Sequence, residues 1–132
     1  MKASPVAFQA TSTLAFDEAV ARAREALAKE GFGVLTEIDI QATLKKKLDV
    51  DRDPYLILGA CHPPSAHRAL TAVPEVGVLL PCNVTVSVES GTTVVRAMDP
   101  AAVMGLVGAP ELAAVGEEIG AKLRRVVDAC RG

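Results

Sequence analysis

The stretch CNVTVSVE-SG-TTVVRAM, Cys82 to Met98, decides the fold. Cys82, Val84, Val86 and Val88 fall on one face of a strand, and Asn83, Thr85, Ser87 and Glu89 on the other. Ser90-Gly91 supplies turn chemistry, and Thr92 to Met98 returns as a second strand. A two-residue loop pairs Val88 with Thr93, Val86 with Val95 and Val84 with Ala97, and carries Cys82 opposite Asp99. The wet face of this hairpin also holds Val94 and Met98, a modest sign of a partner or a covering helix.

Downstream, Asp99-Pro100 reads as an N-cap followed by proline at the first helical position, opening a helix to about Val107. Gly108-Ala109-Pro110 breaks it and starts another. Leu112, Val115, Ile119, Leu123, Val126 or Val127, and Cys130 form the apolar stripe of that long last helix. Gly116 and Gly120 lie on or beside the stripe, where they permit close approach of another backbone.

Upstream, Tyr55 to Cys61 is apolar on both faces and reads as a covered central strand. Pro63-Pro64-Ser65 stops it, Ser65 caps a helix through Leu70 and Ala72, and Pro74 closes that helix. Glu75 to Leu80 is an apolar link of no clear type. Earlier still, Phe32 to Asp39 alternates, with Phe32, Val34, Thr36 and Ile38 sharing a face. Asp39 then caps a short helix with Ile40, Leu44 and Leu48 inward. Thr13 to Glu30 is a helix with Phe16, Val20, Ala23 and Leu27 in one stripe, Asp17 and Glu18 in its first turn, and Gly31 as its stop. Glu18–Arg22 and Glu25–Lys29 are i,i+4 pairs on it. Val6 to Thr11 is a first strand whose partner cannot be read. This order of elements predicts a single α+β domain over residues 1–132, with a mainly antiparallel sheet and no repeated βαβ unit.

Size and composition agree. A chain of 132 residues buries roughly 70% of its unfolded surface, enough for a core without staples. Half of the residues are hydrophobic and only 3% aromatic, so the core is aliphatic. Net charge is −2, and Lys45-Lys46-Lys47 sits beside Asp49, Asp51 and Asp53, a solvated face and not a phosphate footprint. Too few rings are present for a base-stacking platform. No nucleic-acid partner is expected, and no segment reaches the ~20 apolar residues of a membrane span. The Met1-Lys2 start lacks a leader's apolar region, which predicts a cytoplasmic location. Three cysteines argue against a disulfide framework. Asn83 is the single asparagine, and Gln9 and Gln41 are the only glutamines, a weak sign of a heat-adapted source.

Chemistry concentrates in two cassettes, Leu58-Gly59-Ala60-Cys61-His62-Pro63-Pro64 and Leu79-Leu80-Pro81-Cys82-Asn83. Cys82 shares a face with three valines, so a buried, inert thiol is the plainer reading. Strand ends, however, are where sites open. Asp99 opposite Cys82 would raise the thiol pKa and blunt its nucleophilicity. Cys61 and His62 point to opposite faces of a regular strand, which excludes a simple nucleophile–base pair. The Cys61–Cys82 gap is not a zinc-ligand spacing, and His62 and His67, five apart across a turn, read as exposed histidines near a helix start and not as a metal site. Asp39 serves as a cap and Cys130 as packing. No Walker A, dinucleotide-binding, metalloprotease or nucleophile-elbow motif is present.

The phrases Ile57-Leu58-Gly59-Ala60-Cys61-His62-Pro63 and Gly77-Val78-Leu79-Leu80-Pro81-Cys82-Asn83-Val84, with Gly31-Phe32, Ile38-Asp39-Ile40 and Asp99-Pro100, resemble the domain-of-unknown-function 302 family. The resemblance spans nearly the whole chain. Where that family tends to have Asn after the first cysteine, this chain has His62. The resemblance implies a compact α+β domain, a curved antiparallel sheet with helices packed on it, often seen as a dimer. It implies no established activity and no cofactor.

The expected function is therefore a binding module. Cys61, His62, Cys82, Asn83 and Asp99 would line a pocket for a small molecule or a soft metal ion, in a domain expected to be a homodimer. A thiol enzyme using Cys61 or Cys82, with the N-terminus of the helix begun at Ser65 able to hold a Cys61 thiolate, is the alternative, and a purely self-associating domain is the third.

Overall fold

The computed structural model describes residues 4–132, so the Met1-Lys2 start read against a leader lies outside them. The hairpin is where the alternation puts it: β4 covers Cys82–Glu89 and β5 covers Thr92–Met98. Its register pairs Val88 with Thr93, Val86 with Val95 and Val84 with Ala97. Ser90 and Gly91 take the positive φ angles, 51° and 79°, that a tight two-residue turn needs.

Both hairpin strands gain outer neighbours. β1, Ala7–Ser12, pairs antiparallel with β5, from Ala7↔Met98 to Ser12↔Thr93. β3, Tyr55–Cys61, pairs with β4, from Tyr55↔Ser87 to Ala60↔Cys82. β2, Gly33–Asp39, pairs with β3 and forms the opposite edge. The result is a five-stranded antiparallel sheet in the order β1-β5-β4-β3-β2.

Helices cover one face. α1 spans Phe16–Lys29, α3 Pro63–Ala72, and α5 Pro110–Ala129. Leu27 of α1, Leu58 of β3, Val84 and Val86 of β4, Val95 of β5, and Leu112 and Leu123 of α5 are all fully buried between these layers. Burying each such side chain contributes about 1.5–3 kcal/mol, which is what holds a polar-edged sheet to its helices. The α5 stripe predicted from Leu112 to Cys130 is buried throughout. The end of that helix is tied to β1: Ser12 Oγ donates to the Cys130 carbonyl at 2.5 Å and Thr13 N–H to the Arg131 carbonyl at 3.0 Å. These bonds satisfy carbonyls that a helix end leaves without partners.

α4, Pro100–Met104, opens on Asp99, whose carboxylate accepts from the amides of Ala101 and Ala102. It continues as a 3-10 turn over Gly105–Val107. α4 lies so close to α5 that a Cβ on Gly116 would sit 2.9 Å from Ala101 Cα. Gly120 is looser, with its nearest neighbours at 3.8 Å.

Four local expectations are corrected. β2 carries a bulge between Val34 and Thr36. The extra residue flips the pleat, so Val34 aligns with buried Ala60, while Thr36 and Ile38 align with Gly59 and Ile57 on the other face. α2, Ile40–Leu48, keeps its predicted Asp39 cap, with Ala42 N–H donating to Asp39 Oδ1 at 2.9 Å. However, Ile40, Leu44 and Leu48 do not point into a core: no residue of α2 is buried, and Leu48 is 67% exposed. The helix packs at the β2–β3 side of the sheet, where no second layer closes over it. α3 begins at Pro63, with both prolines in its first turn, where a missing N–H costs nothing. His62, not Ser65, occupies the cap position. Neither Glu18–Arg22 nor Glu25–Lys29 is an ion pair among the described residues: Arg22 donates instead to the Ala129 carbonyl, and the neighbouring Arg24 pairs with Glu37 at 2.5 Å. Among the described residues no helix is long and apolar enough to cross a membrane.

Candidate functional site

The two cassettes meet. Ala60 is the cross-strand partner of Cys82, so the end of β3 and the start of β4 lie side by side. A hollow of about 350 Å³ opens there. Ala60, Cys61 and Cys82 line it from the sheet, and Leu80 and Pro81 from the link that enters β4 through a cis peptide. Ser65, Ala66 and Ala69 of α3, Met104 of α4, and Val115 and Ile119 of α5 close it from the helix layer. Phe32 and the bulged Leu35 complete the rim. No formally charged side chain is among its lining residues. Gly59, inside β3, is obligatory: a Cβ there would collide with Thr36 Oγ1 and sit 3.0 Å from Pro81 Cγ.

Cys61 is half-buried and Cys82 is 5% exposed. Burial, and secondarily the neighbouring Cys61, pushes the Cys82 thiol up to about 11. Asp99 plays no part in this, contrary to expectation. The hairpin ladder ends at Val84↔Ala97, and the Asp99 carboxylate is spent on capping α4. Burial also raises Cys130 to about 11, against the opposing charge of Arg22, which agrees with its reading as packing.

His62 leaves the strand and lines the same hollow as Cys61, because the regular pleat ends at Cys61 and His62 turns into α3. Its ring sits against Phe32, with centroids 5.4 Å apart and a 58° tilt. Its Nδ1 lies 2.8 Å from Ser65 Oγ. A Cβ on Gly31 would come within 3.3 Å of the ring's other edge, and Gly31 has φ +86°, so two constraints select glycine there. Burial, then Lys122, lowers the His62 pKa, with Glu118 opposing and Arg68 assisting, which favours the neutral ring at neutral pH.

Asn83 and Asp99 lie elsewhere. Asn83 is exposed and aligns with Gly59 on the opposite face of the sheet, beside a shallow depression of about 210 Å³ with Tyr55, Thr85 and Arg96. Asp99 borders another, of about 230 Å³, with Phe8, Gly116 and Arg124. His67 is exposed on α3. Among the described residues no three His, Cys, Asp or Glu side chains, Cys61, His62 and Cys82 among them, gather where a metal ion could be held.

Sequence reasoning missed one polar cluster. Arg96 donates to Glu89 at 2.5 and 3.0 Å and to Gln9 at 2.8 Å, and Ser87 donates to Glu89 at 2.7 Å. The Arg96 hydrogen bond, then that of Ser87, holds the Glu89 carboxyl down to about 2. Arg96 thus reaches along its own strand past Val94, which is 6% exposed on the helix-free face. The signal was the same-face spacing of Ser87, Glu89 and Arg96 across the hairpin. Ser65 was also read only as a cap, although its position three residues after His62 placed it within reach of the ring.

An antiparallel sheet backed on one face by helices, with an uncharged hollow at the mouth of its β3–β4 pair, defines a small α+β domain with a ligand-sized cavity. The chain belongs to the family described as "Domain of unknown function DUF302", whose family model matches residues 8–130. A solved structure described as "Crystal structure of uncharacterized conserved protein DUF302 from Bacillus stearothermophilus" is similar, with 32% identity and a TM-score of 0.89. That similarity covers 95% of this chain and 98% of that one. No curated protein matches the chain.

Proposed function

We propose that the chain is a binding module for a small organic molecule, held in the hollow between the β3–β4 strand ends and the helix layer. The observation that carries this reading is the hollow itself. It is about 350 Å³ in volume, within the range of small-molecule sites, and apolar apart from two thiols and the His62–Ser65 pair. An occupant would restore the dispersion contacts that the apolar lining forgoes while it faces water. Among the other readings, soft-metal capture lacks a third ligand beside the thiols, and nucleophilic use of Cys82 works against a thiol held protonated by burial.

The test is a titration of 15N-labelled protein with ethylbenzene, a neutral probe small enough for the space. Amide shifts should concentrate at Cys61, Ala66, Cys82, Met104 and Ile119 and saturate. Ala66→Phe, a change at a half-buried helix position on the wall, should fill the hollow and remove the saturation. Shifts that are absent, or scattered over the surface and unaffected by the filling variant, would overturn the proposal.

A further inference from the structure

Nothing charged lines the hollow, so its selectivity rests on its few polar atoms. A carboxylate or phosphate drawn inside would lose its hydration and meet no charged side chain in the lining, since Lys122 and Arg68, which act on His62 from outside it, do not line the hollow and Arg68 is paired with Glu118. Of the polar atoms, Cys82 is nearly sealed and its thiol is a weak donor. His62 and Ser65 remain.

Their hydrogen bond fixes more than a distance. Ser65 is 2% exposed, and its single hydrogen-bond partner among the described residues is His62 Nδ1, at 2.8 Å. If Nδ1–H donated to Oγ, the buried hydroxyl hydrogen would have no acceptor, at the cost of an unmade hydrogen bond. With the hydroxyl donating to Nδ1, both atoms of that bond are satisfied. A neutral imidazole accepting at Nδ1 carries its proton at Nε2. Nε2 has no protein partner among the described residues. The ring packs against Phe32 and is tied at Nδ1 to Ser65, and its Cδ2–Nε2 edge runs along Gly31, which has no Cβ to crowd it, so the donor is positioned before any ligand arrives.

Resting on the binding reading above, we infer that His62 sets the specificity of the hollow. Its Nε2–H, held in that tautomer by Ser65 as a positioning residue, donates to the single acceptor atom of an uncharged and otherwise apolar ligand. Ketones, esters, ethers and aldehydes of aromatic or alkyl compounds have this chemistry, whereas carboxylates, phosphates and pure hydrocarbons do not. The half-exposed apolar rim at Leu35 and Leu70, 67% and 40% exposed, leaves room for an apolar extension of such a molecule.

The experiment has two arms on the full chain. In the first, long-range 1H–15N correlation of the histidine rings reads the His62 tautomer at neutral pH, where Nε2–H is expected. A ring protonated at Nδ1, or equal populations of the two forms, would overturn the inference without touching the binding reading. In the second, three probes of similar size are titrated: acetophenone, ethylbenzene and benzoate. Acetophenone should bind roughly 3- to 10-fold tighter than ethylbenzene, the span of one net hydrogen bond. Benzoate should bind at least about 10-fold weaker than acetophenone. In Ser65→Ala the tautomer should relax and the ratio of acetophenone to ethylbenzene affinity shrink toward unity. Should that variant not fold, the wild-type tautomer and probe order decide alone. Ethylbenzene matching acetophenone would refute the His62 role and leave the hollow a site. Benzoate binding best would refute the exclusion of charge. Silence from all three would overturn the binding reading and this one with it.

Discussion

The most direct consequence of the site's geometry is an order of thiol reactivity. Burial raises Cys82 from an ordinary 9.0 to about 11. Near neutral pH that shift lowers the thiolate fraction about 100-fold, because each pKa unit is a factor of ten. The more basic thiolate is also the better nucleophile, and a Brønsted slope of about 0.4–0.5 returns about 10-fold of that loss. The net chemical slowing is therefore about 10-fold relative to the same thiol in unfolded chain. Access adds a further factor, since Cys82 is 5% exposed and Cys130, also raised to about 11, is 0% exposed. Cys61, half-buried at the hollow's edge, should be modified first. The assay is alkylation by iodoacetamide across pH 7 to 9, quenched in time and mapped by peptide mass, with protein unfolded in urea as the reference. Cys61 should react first, Cys82 at least about 10-fold slower than in the unfolded chain, and Cys130 on the timescale of opening of the α5 end. Saturating ethylbenzene should protect Cys61. Cys82 reacting as fast as the unfolded reference, or with a midpoint below it, would refute the burial argument and revive the thiol-enzyme alternative.

Three further outcomes follow from the packing. Gly116→Ala should destabilise by about 1–3 kcal/mol, because its Cβ meets the backbone of Ala101 at 2.9 and 3.1 Å and α4 must move. Gly120→Ala, one turn on with only ordinary contacts at 3.8 Å, should instead stabilise by about 0.5–1 kcal/mol through helix propensity; urea denaturation of both variants checks the opposite signs. Asp99→Ala should cost about 1 kcal/mol by removing the acceptor for the Ala101 and Ala102 amides, with amide exchange at those two residues rising first. The Arg96–Glu89 pair contributes stability that is present above the ordinary carboxyl value of 4.5 and lost as pH falls toward about 2, since the folded carboxyl is the one held low. Glu89 is 42% exposed, so solvent screening keeps that contribution under about 1 kcal/mol. The stability gap between wild type and Glu89→Gln should close over that pH range, and a gap that stays constant would remove the pair from the account.

How much was legible varies with how local the cause was. The hairpin register was readable residue by residue, because alternation and a two-residue turn specify each other. The α5 stripe, the caps at Asp39 and Asp99 and the close approach at Gly116 were readable for the same reason. The bulge in β2 was not: a strand of mixed residues keeps its apparent alternation on paper when one residue is inserted into the ladder. The α2 side chains were misplaced because periodicity says which residues share a face but not whether anything covers it. Cys61, His62 and Cys82 line one hollow, a proximity the sequence left open, whereas pleat direction and a capping role place Asn83 and Asp99 elsewhere.

By itself, then, the order of amino acids determined which of the main segments are strands and helices, and that the thiol cassettes sit at strand ends. Only the tertiary structure decided that β1 joins the sheet beside β5, that the ends of β3 and β4 open onto a common hollow, and that Ser65 bonds the His62 ring. The division has a physical cause. Periodicity, turns and caps are short-range energies written into neighbouring residues. A cavity is the space left when distant surfaces pack, and no single stretch of chain encodes its walls.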